Sequence, residues 1–276
     1  MLVNLNDVLK KAQEEHYAVG LFNPTDTDML EAAISAAEEL RSPIIIGTAE
    51  VLLPSGELQL IAPSIVAAAK RASVPVVVHF DHGLTFDRCM EALSLGFSSL
   101  MFDGSANSYE ENLRQTCEIV KIAHSLGVSV EGEIGHVGDA SKGDNETGDL
   151  YTTPEEAKAF VDATGVDALA IAIGTAHGAY KSKPKLDLDR LAEIRKTIDT
   201  PLVLHGGSGL SDDDFKNSIA GGIAKMNIFT DLCVAGVEAM RNAKTNVYLE
   251  IRDLKVAAIK EAVKAKMRLF GSVGKA

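Results

Sequence analysis

The sequence predicts a single (β/α)8 barrel with extra helices after the eighth unit. Three observations support this fold class: a length of 276 residues, eight short apolar runs rich in β-branched residues, and amphipathic segments that alternate with the runs. A barrel of this kind needs about 250 residues. Near-continuously apolar strands alternating with helices indicate a parallel sheet covered by helices. We therefore treat residues 1–276 as one domain.

The elements follow one another in a regular order. The predicted strands are Ala18–Phe22, Pro43–Gly47, Val74–Phe80, Ser98–Asp103, Val128–Ile134, Ala168–Gly174, Pro201–His205 and Ile223–Ile228. The predicted helices are Asp28–Leu40, Ser64–Ala72, Phe86–Leu95, Tyr109–Leu126, Pro154–Ala163, Leu188–Thr197 and Asp212–Ala220, with one or two more over Tyr248–Leu269. Eight repeats favour a closed barrel over an open sheet, and the first turn, FNPTDTD, lacks a Gly-rich phosphate motif.

Composition excludes several classes of protein. The formal net charge is −12, which argues against nucleic acid or an anionic membrane as a general partner because both require a basic surface. No apolar run approaches the length needed to span a bilayer. Cys89, Cys117 and Cys233 are scattered and odd in number, so we expect free thiols and a cytoplasmic location.

Three histidines mark the carboxyl ends of strands, where barrel enzymes have their active sites. His82, His177 and His205 follow the third, sixth and seventh predicted strands. Three neutral imidazoles with an open coordination position form a ligand set of catalytic zinc. The alternative is a set of capping histidines bonded to loop carbonyls, but their shared face favours a zinc site.

Carboxylates accompany these histidines. Asp81 directly precedes His82, and at a strand end both side chains can reach the cavity, so Asp81 is a candidate for proton transfer. Alternatively, Asp81 is a hydrogen-bond partner of a neighbouring histidine. Asp103 and Glu133 are either metal-associated residues or buried polar groups bonded to loops, and the sequence leaves both interpretations open.

Glycine-rich segments after the sixth and seventh strands predict a phosphate site. Barrels commonly bind phosphate after strands seven and eight, with backbone N–H donors at helix N-termini. A plain flexible turn is the alternative interpretation of the GGSG segment. The candidate binding residues are Gly178, Lys181, Gly206, Gly207, Ser208, Asn227, Ile228, Phe229 and Thr230.

Several stretches together resemble the class II, zinc-dependent fructose/tagatose-bisphosphate aldolases. They cover nearly the whole chain in order. The matching stretches are Ala18–Asn23, His79–Gly83, Ser98–Ser105, Val130–Gly138, Tyr151–Glu156, Ala168–Gly178, Pro201–Ser211, Lys225–Thr230 and Met267–Ala276.

The resemblance implies roles for the candidate residues. It implies one Zn²⁺ per subunit on the three histidines, with Asp81 as the proton donor to the aldehyde-derived oxygen in condensation. Asp103 and Glu133 match positions that touch the metal in an alternative, buried position. The glycine-rich segments resemble the clamp on dihydroxyacetone phosphate, and Asn23 is expected to face the substrate.

The resemblance also implies partners and activity. The carbonyls of Gly178 and Gly206 match a site for a monovalent cation, Na⁺ or K⁺. A small phosphorylated sugar is the expected substrate, and a homodimer or homotetramer is the expected assembly. Zinc makes a Schiff-base lysine unnecessary. Lys225 is the one lysine inside a predicted strand, and no desolvated context is predicted for it.

Two departures from the family concern the substrate. The loop 135–153 is polar and glycine-rich, as a functional lid is, but it lacks the family's acidic pair just after the glycines, so Asp144 and Glu146 are the candidate loop acids. A Pro-Arg-aromatic stretch that binds the far phosphate is also missing, and Arg252 is a candidate substitute. The resemblance therefore implies dihydroxyacetone phosphate as the donor half, and it leaves open an acceptor aldehyde other than glyceraldehyde 3-phosphate, including an unphosphorylated one.

Two other classes compete with an aldolase. A metal-hydroxide hydrolase would more often have a second metal cluster, and the phosphate segments disfavour it. A non-catalytic phosphosugar-binding protein on the same fold is disfavoured because the three histidines and Asp81 are all present.

Overall fold

The computed structural model describes residues 1–135, 138–139, 151–177 and 184–276, with the backbone alone at 138, 139 and 177. The strands in these ranges are β1 (Leu2–Val3), β2 (Val19–Phe22), β3 (Ile44–Ala49), β4 (Val76–Gly83), β5 (Ser99–Phe102), β6 (Ser129–Ile134), β7 (Gly138–Asp139), β8 (Ala168–Ile171), β9 (Ala176–His177), β10 (Leu202–Leu204) and β11 (Ile223–Ile228).

Helices cover the outside of the sheet. Those in the described ranges are α1 (Leu5–Glu14), α2 (Thr27–Leu40), α3 (Leu58–Arg71), α4 (Phe86–Ser94), α5 (Tyr109–Ser125), α6 (Pro154–Thr164), α7 (Leu188–Thr197), α8 (Asp212–Ala220), α9 (Thr230–Arg241) and α10 (Tyr248–Phe270), with a 3-10 helix over Glu50–Ser55. None of them is long and apolar enough to cross a membrane.

Parallel pairing closes the sheet into a barrel. The pairing order is β4-β3-β2-β11-β10-β8-β6-β5, and β5 also pairs with β4. All of these pairs are parallel. The predicted eight-stranded barrel is therefore confirmed.

The predicted elements differ from the observed ones mainly at their ends. Each predicted strand overlaps one barrel strand, and β3 and β4 continue past the predicted ends at Gly47 and Phe80 to Ala49 and Gly83. Helix α3 begins at Leu58, more than a turn before the predicted Ser64. The C-terminal segment forms one continuous helix of 23 residues, α10, which packs against α2 and α9. Helix α9, which was not predicted separately, completes the eighth unit.

Helix α1 seals the amino-terminal end of the barrel. Asn4 caps the helix by accepting a hydrogen bond from the backbone N–H of Asp7 at 3.3 Å. The buried side chains Leu5, Val8, Leu9 and Ala12 form one cluster with the inward-facing residues Val19, Leu21, Ile45, Val77, Ala168, Ala170, Val203 and Ala224. The lower half of the barrel is therefore a packed apolar floor and not a channel.

We predict that Leu9→Ala lowers the free energy of unfolding by about 2–5 kcal/mol, because the side chain is fully buried and its removal leaves a cavity. Urea unfolding followed by circular dichroism measures the change. Leu60→Ala is the matched control, since Leu60 is 74% exposed on α3. Equal losses in both variants would contradict the role of α1 as the floor.

Candidate active site

Side-chain alternation places the polar residues of β4 and β6 inside the barrel. In β4, Val77 packs in the floor cluster, and His79 and Asp81 follow on the same face. In β6, Glu131 and Glu133 share one face in the same way. All four polar side chains are buried. The interior thus changes from apolar at the floor to polar at the carboxyl ends of the strands.

The backbone at His82 departs from strand geometry. Its φ angle is 44°, in the left-handed region that few non-glycine residues adopt. Glu50 holds the turn that follows: its carboxylate accepts hydrogen bonds from the N–H groups of Leu84 at 2.7 Å and Thr85 at 3.2 Å. This turn brings the side chains at positions 81 and 82 into the same cavity.

Four side chains form a hydrogen-bonded chain across the barrel mouth. Asp103 Oδ2 lies 2.8 Å from His82 Nδ1. His82 Nε2 lies 2.7 Å from His205 Nδ1, and the two rings meet edge to face at 83°. His205 Nε2 lies 2.9 Å from Glu131 Oε1. These hydrogen bonds link the carboxyl ends of β5, β4 and β10 to β6 through two of the predicted zinc ligands.

The charges around His82 and His205 decide which ring nitrogens of this hydrogen-bonded chain carry protons. Burial alone lowers the pKa of His82, but the Asp81 and Asp103 carboxylates outweigh it and raise that pKa to about 9. Burial, and then the positive charge on His82, lowers the pKa of His205. These opposite shifts favour the arrangement in which the Nε2–H of His82 donates to His205 Nδ1.

The donor atoms of this cluster fit a divalent metal ion. Single ligand atoms of Asp81, His82 and His205 all lie within 4.8 Å of one another, and so do those of His82, Asp103 and Glu133. Imidazole nitrogens with carboxylate oxygens suit zinc. Two nitrogens on one tetrahedral zinc lie about 3.4 Å apart, so the two rings would separate slightly around an ion.

Glu133 lies in the upper, metal-facing layer of the cavity. Its Oε2 is 3.6 Å from His205 Nδ1 and has no hydrogen-bond partner among the described residues. Burial, followed by the charge of Asp103, raises the pKa of Glu133 well above its ordinary value. Glu133 is therefore placed to join His82 and Asp103 around a metal ion.

Two amides hold Asp81 in place. Asn23 Nδ2 donates to Oδ2 at 2.8 Å, and Asn227 Nδ2 lies 3.0 Å from Oδ1. Burial alone would raise the pKa of Asp81, but the positive charges of His82 and Lys225 hold it well below its ordinary value. Asp81 is therefore an oriented carboxylate anion. The structure places Asn23 against this carboxylate, at the mouth of β2.

A buried ion pair lies beneath the metal-facing groups. Lys225 is fully buried on β11, and its Nζ lies 2.8 Å from Glu131 Oε2 and 3.1 Å from Oε1. The expectation that Lys225 lacks a desolvated context is wrong. A signal was present in the sequence: Lys225 and Asn227 are two apart on β11, so both point inward. Its partner is Glu131, for which the sequence predicted no role.

The loops after β10 and β11 meet closely, as a phosphate site requires. Gly206 has a φ of 66°, and a β-carbon there would lie 2.3 Å from Ala176 O, so only glycine fits. Ser208 Oγ accepts a hydrogen bond from the Phe229 N–H at 3.3 Å. The side chain of Ile228 is buried in the outer core, which leaves its backbone as the group that can bind a ligand.

Other predicted residues fall in the same region or beyond the described ranges. Gly207 approaches Asn227 O, since a β-carbon would lie 2.9 Å from it, and Thr230 begins α9. The backbone of His177 pairs with Asp139. The structure does not describe the remaining predicted residues, which are the His177 side chain, Gly178, Lys181, Asp144, Glu146 and most of the predicted lid. Their roles stay predictions.

Comparison with known proteins identifies the family. The model of the class II fructose-bisphosphate aldolase family matches residues 3–275. A sulfofructosephosphate aldolase from Alkalicoccus urumqiensis is 41% identical over 98% of this chain and 96% of its own length. A fructose-bisphosphate aldolase from Thermus caldophilus is 40% identical over 100% of both chains. The crystal structure of the YdjI aldolase from Escherichia coli K12 has a TM-score of 0.91 at 38% identity, again over 100% of both chains.

The chain therefore belongs to the class II fructose-bisphosphate aldolases, which are lyases. Its relatives act on phosphorylated sugars, and zinc is typical of the family. The resemblance seen in the sequence is confirmed.

We predict that zinc binding releases protons at neutral pH. Because the neighbouring carboxylates raise the pKa of His82 to about 9, its ring carries a second proton at neutral pH, and a metal ion must displace that proton. The apparent zinc affinity should therefore rise about tenfold or more per pH unit from pH 6 to 8. Competition with a chromophoric chelator measures this slope, and calorimetry in buffers of different ionisation enthalpy counts the protons. An affinity that does not change with pH would contradict this assignment.

Proposed function

We propose that this chain is a zinc-dependent aldolase that reversibly cleaves a ketose 1-phosphate or 1,6-bisphosphate, of the fructose or tagatose type, to dihydroxyacetone phosphate and an aldehyde. The observation that carries the proposal is the placement of Asp81 beside His82 and His205 in a buried polar cavity. A proton-transfer group next to a metal-binding group is what an aldol reaction of this type needs.

Two roles in the reaction are assigned to residues of this chain: holding the metal ion and transferring a proton. Cleavage takes a proton from the hydroxyl that becomes the aldehyde and leaves negative charge on the donor half. That half must then gain a proton on carbon to become dihydroxyacetone phosphate, and Asp144 and Glu146 are the candidate acids for this step. A zinc ion on His82, His177 and His205 would supply a Lewis acid for that charge. Asp81, ionised and held by two amides, accepts the hydroxyl proton in cleavage and returns it in condensation.

The donor half would be held through its phosphate. Gly206, Gly207 and Ser208 lie against the backbone of Asn227–Thr230, and α9 begins at Thr230, so backbone N–H groups and hydroxyls converge there. Gly178 and Lys181 complete this proposed clamp. The carbonyls of Gly178 and Gly206 would bind a monovalent cation, Na⁺ or K⁺.

For the acceptor half of the substrate, the contacts of Arg252 favour an unphosphorylated aldehyde. Arg252, the candidate for binding a far phosphate, already donates to Asp28 Oδ1 at 3.0 Å and also pairs with Glu31. Asp253 is a third partner, at 3.2 Å from Nη1, and a guanidinium with three carboxylate partners has little attraction left for a phosphate. The relatives do not decide, because aldolases named for different substrates are equally similar to this chain.

Exposed apolar side chains support the proposal of a homodimer or homotetramer. Helices α9 and α10 carry an unusual share of them. They are Val234, Val237 and Met240 on α9, Val247 just before α10, and Tyr248, Leu249 and Leu254 on α10. Such patches often mark contacts between subunits.

The free cysteines support a cytoplasmic location. None of the three is in a disulfide in the described structure, and Cys89 is buried with its thiol pKa raised to about 12 by burial. Thiols kept unpaired are usual in a reducing compartment. A role in sugar catabolism such as glycolysis would fit this setting.

The proposal is tested with purified, zinc-loaded protein and a panel of ketose 1-phosphates and 1,6-bisphosphates. A coupled assay for dihydroxyacetone phosphate should report release from at least one of them. Release from monophosphates and bisphosphates at similar kcat/KM would indicate an acceptor half without a phosphate contact. No release from any of them with zinc bound would overturn the proposal.

We predict that Asp81→Asn lowers kcat about 10²–10⁴-fold, because the amide cannot accept the hydroxyl proton. Zinc affinity should change far less. The matched control is Asp167→Asn at the opposite end of the barrel, where the carboxylate accepts from the backbone of Val130 at 2.8 Å. That variant should lose stability and keep its kcat. An Asp81→Asn enzyme with wild-type kcat would sink the assignment.

A further inference from the structure

The two glutamates of β6 occupy different layers of the cavity. Glu133 lies in the upper layer, grouped with His82 and Asp103. Glu131 lies one layer lower, 2.9 Å from His205 Nε2 and 3.7 Å from His79 Nε2. Their positions two residues apart on one strand produce this arrangement. Glu131 therefore touches a predicted metal ligand from behind, on the ring nitrogen opposite the metal group.

Lys225 determines how Glu131 is oriented. Both carboxylate oxygens lie within 3.1 Å of the ammonium Nζ, so the carboxylate cannot rotate without losing its cation. No other described carboxylate is within ion-pair distance of Lys225. Both groups are fully buried. A buried ion pair contributes little net stability compared with apolar residues, because both charges lose their hydration.

The ring nitrogens of His205 face two different partners. Nε2 faces the Glu131 carboxylate, and Nδ1 faces His82 Nε2 at 2.7 Å. A carboxylate paired with a lysine can only accept, so His205 Nε2 must be the donor. The Nδ1 of a neutral ring then carries a lone pair, and it points at the centre of the metal-binding group.

We propose that Lys225 is a positioning residue for the metal ligand His205. It holds the Glu131 carboxylate as a fixed acceptor for the Nε2 proton of His205, which selects the tautomer whose Nδ1 can bind metal. Lys225 touches neither substrate nor metal in this role and acts through two intervening side chains. The inference rests on the proposed function in that zinc is the ion that His205 would bind.

The tautomer is measured on the wild-type chain. Histidine labelled with ¹⁵N in the metal-free protein gives separate signals for protonated and unprotonated ring nitrogens, and a His205→Gln variant assigns those of His205. We expect a protonated Nε2 and an unprotonated Nδ1. A proton on Nδ1 would overturn the proposal whether or not any Lys225 variant folds.

Two variants test the lysine itself. Lys225→Met leaves the Glu131 charge alone, and Lys225→Met/Glu131→Gln removes both charges and so avoids an unpaired buried carboxylate. We expect zinc to bind about 10–100-fold more weakly in each, as when a partner behind a metal-binding histidine is lost. Both His205 tautomers should appear in the spectrum.

The control is another buried lysine. Lys264→Met removes an ion pair with Glu39 and Glu261 on the outer helices. It should lower stability and leave zinc affinity and the His205 spectrum unchanged. Folded Lys225 variants with wild-type zinc affinity and a single Nε2-protonated ring would refute the positioning role.

These readouts are independent of turnover. A protein that binds zinc and responds to the Lys225 variants as expected, but releases no dihydroxyacetone phosphate from any ketose phosphate, would lose the proposed function and keep this inference. Active protein with unaffected Lys225 variants would do the reverse.

Discussion

The alternation of side chains around a closed parallel barrel is the constraint on which the rest of the molecule depends. Once the strands pair in register, every second residue points inward, and neighbouring strands place these residues in layers. The lower layers are apolar and packed under α1. The upper layers contain the polar residues at the carboxyl ends. One rule therefore produces both the stable floor and the reactive mouth.

Electrostatics then organises the upper layers. Four carboxylates, Asp81, Asp103, Glu131 and Glu133, converge there, and the groups around each decide its state. Amides and neighbouring cations keep Asp81 ionised, while burial among other carboxylates raises the pKa of Glu133. Lys225 forms an ion pair with Glu131, so this carboxylate is already neutralised by a cation of the protein. Carboxyl groups of the same chemical type thus differ in pKa and in charge because their neighbours differ.

Much of the fold could be predicted from the sequence, because eight apolar runs and their intervening helices are local patterns. The clustering of Asp81, His82 and His205 could also be anticipated from strand ends alone. The ion pair of Lys225 with Glu131 could not, because it depends on β11 and β6, which are separated by β10 and β8, facing one cavity. No local pattern in the sequence encodes that relation. The left-handed backbone at His82 was equally hidden, since it coincides with a register shift between β4 and β5 that depends on tertiary pairing.

The apolar floor also has a kinetic consequence. Because α1 closes one end of the barrel, any molecule that reaches Asp81 must enter and leave through the same opening. An aldolase makes two products from one substrate, and they cannot depart by separate exits. Both products of a cleavage therefore have to leave, and both partners of a condensation have to arrive, through the mouth at the carboxyl ends of the strands.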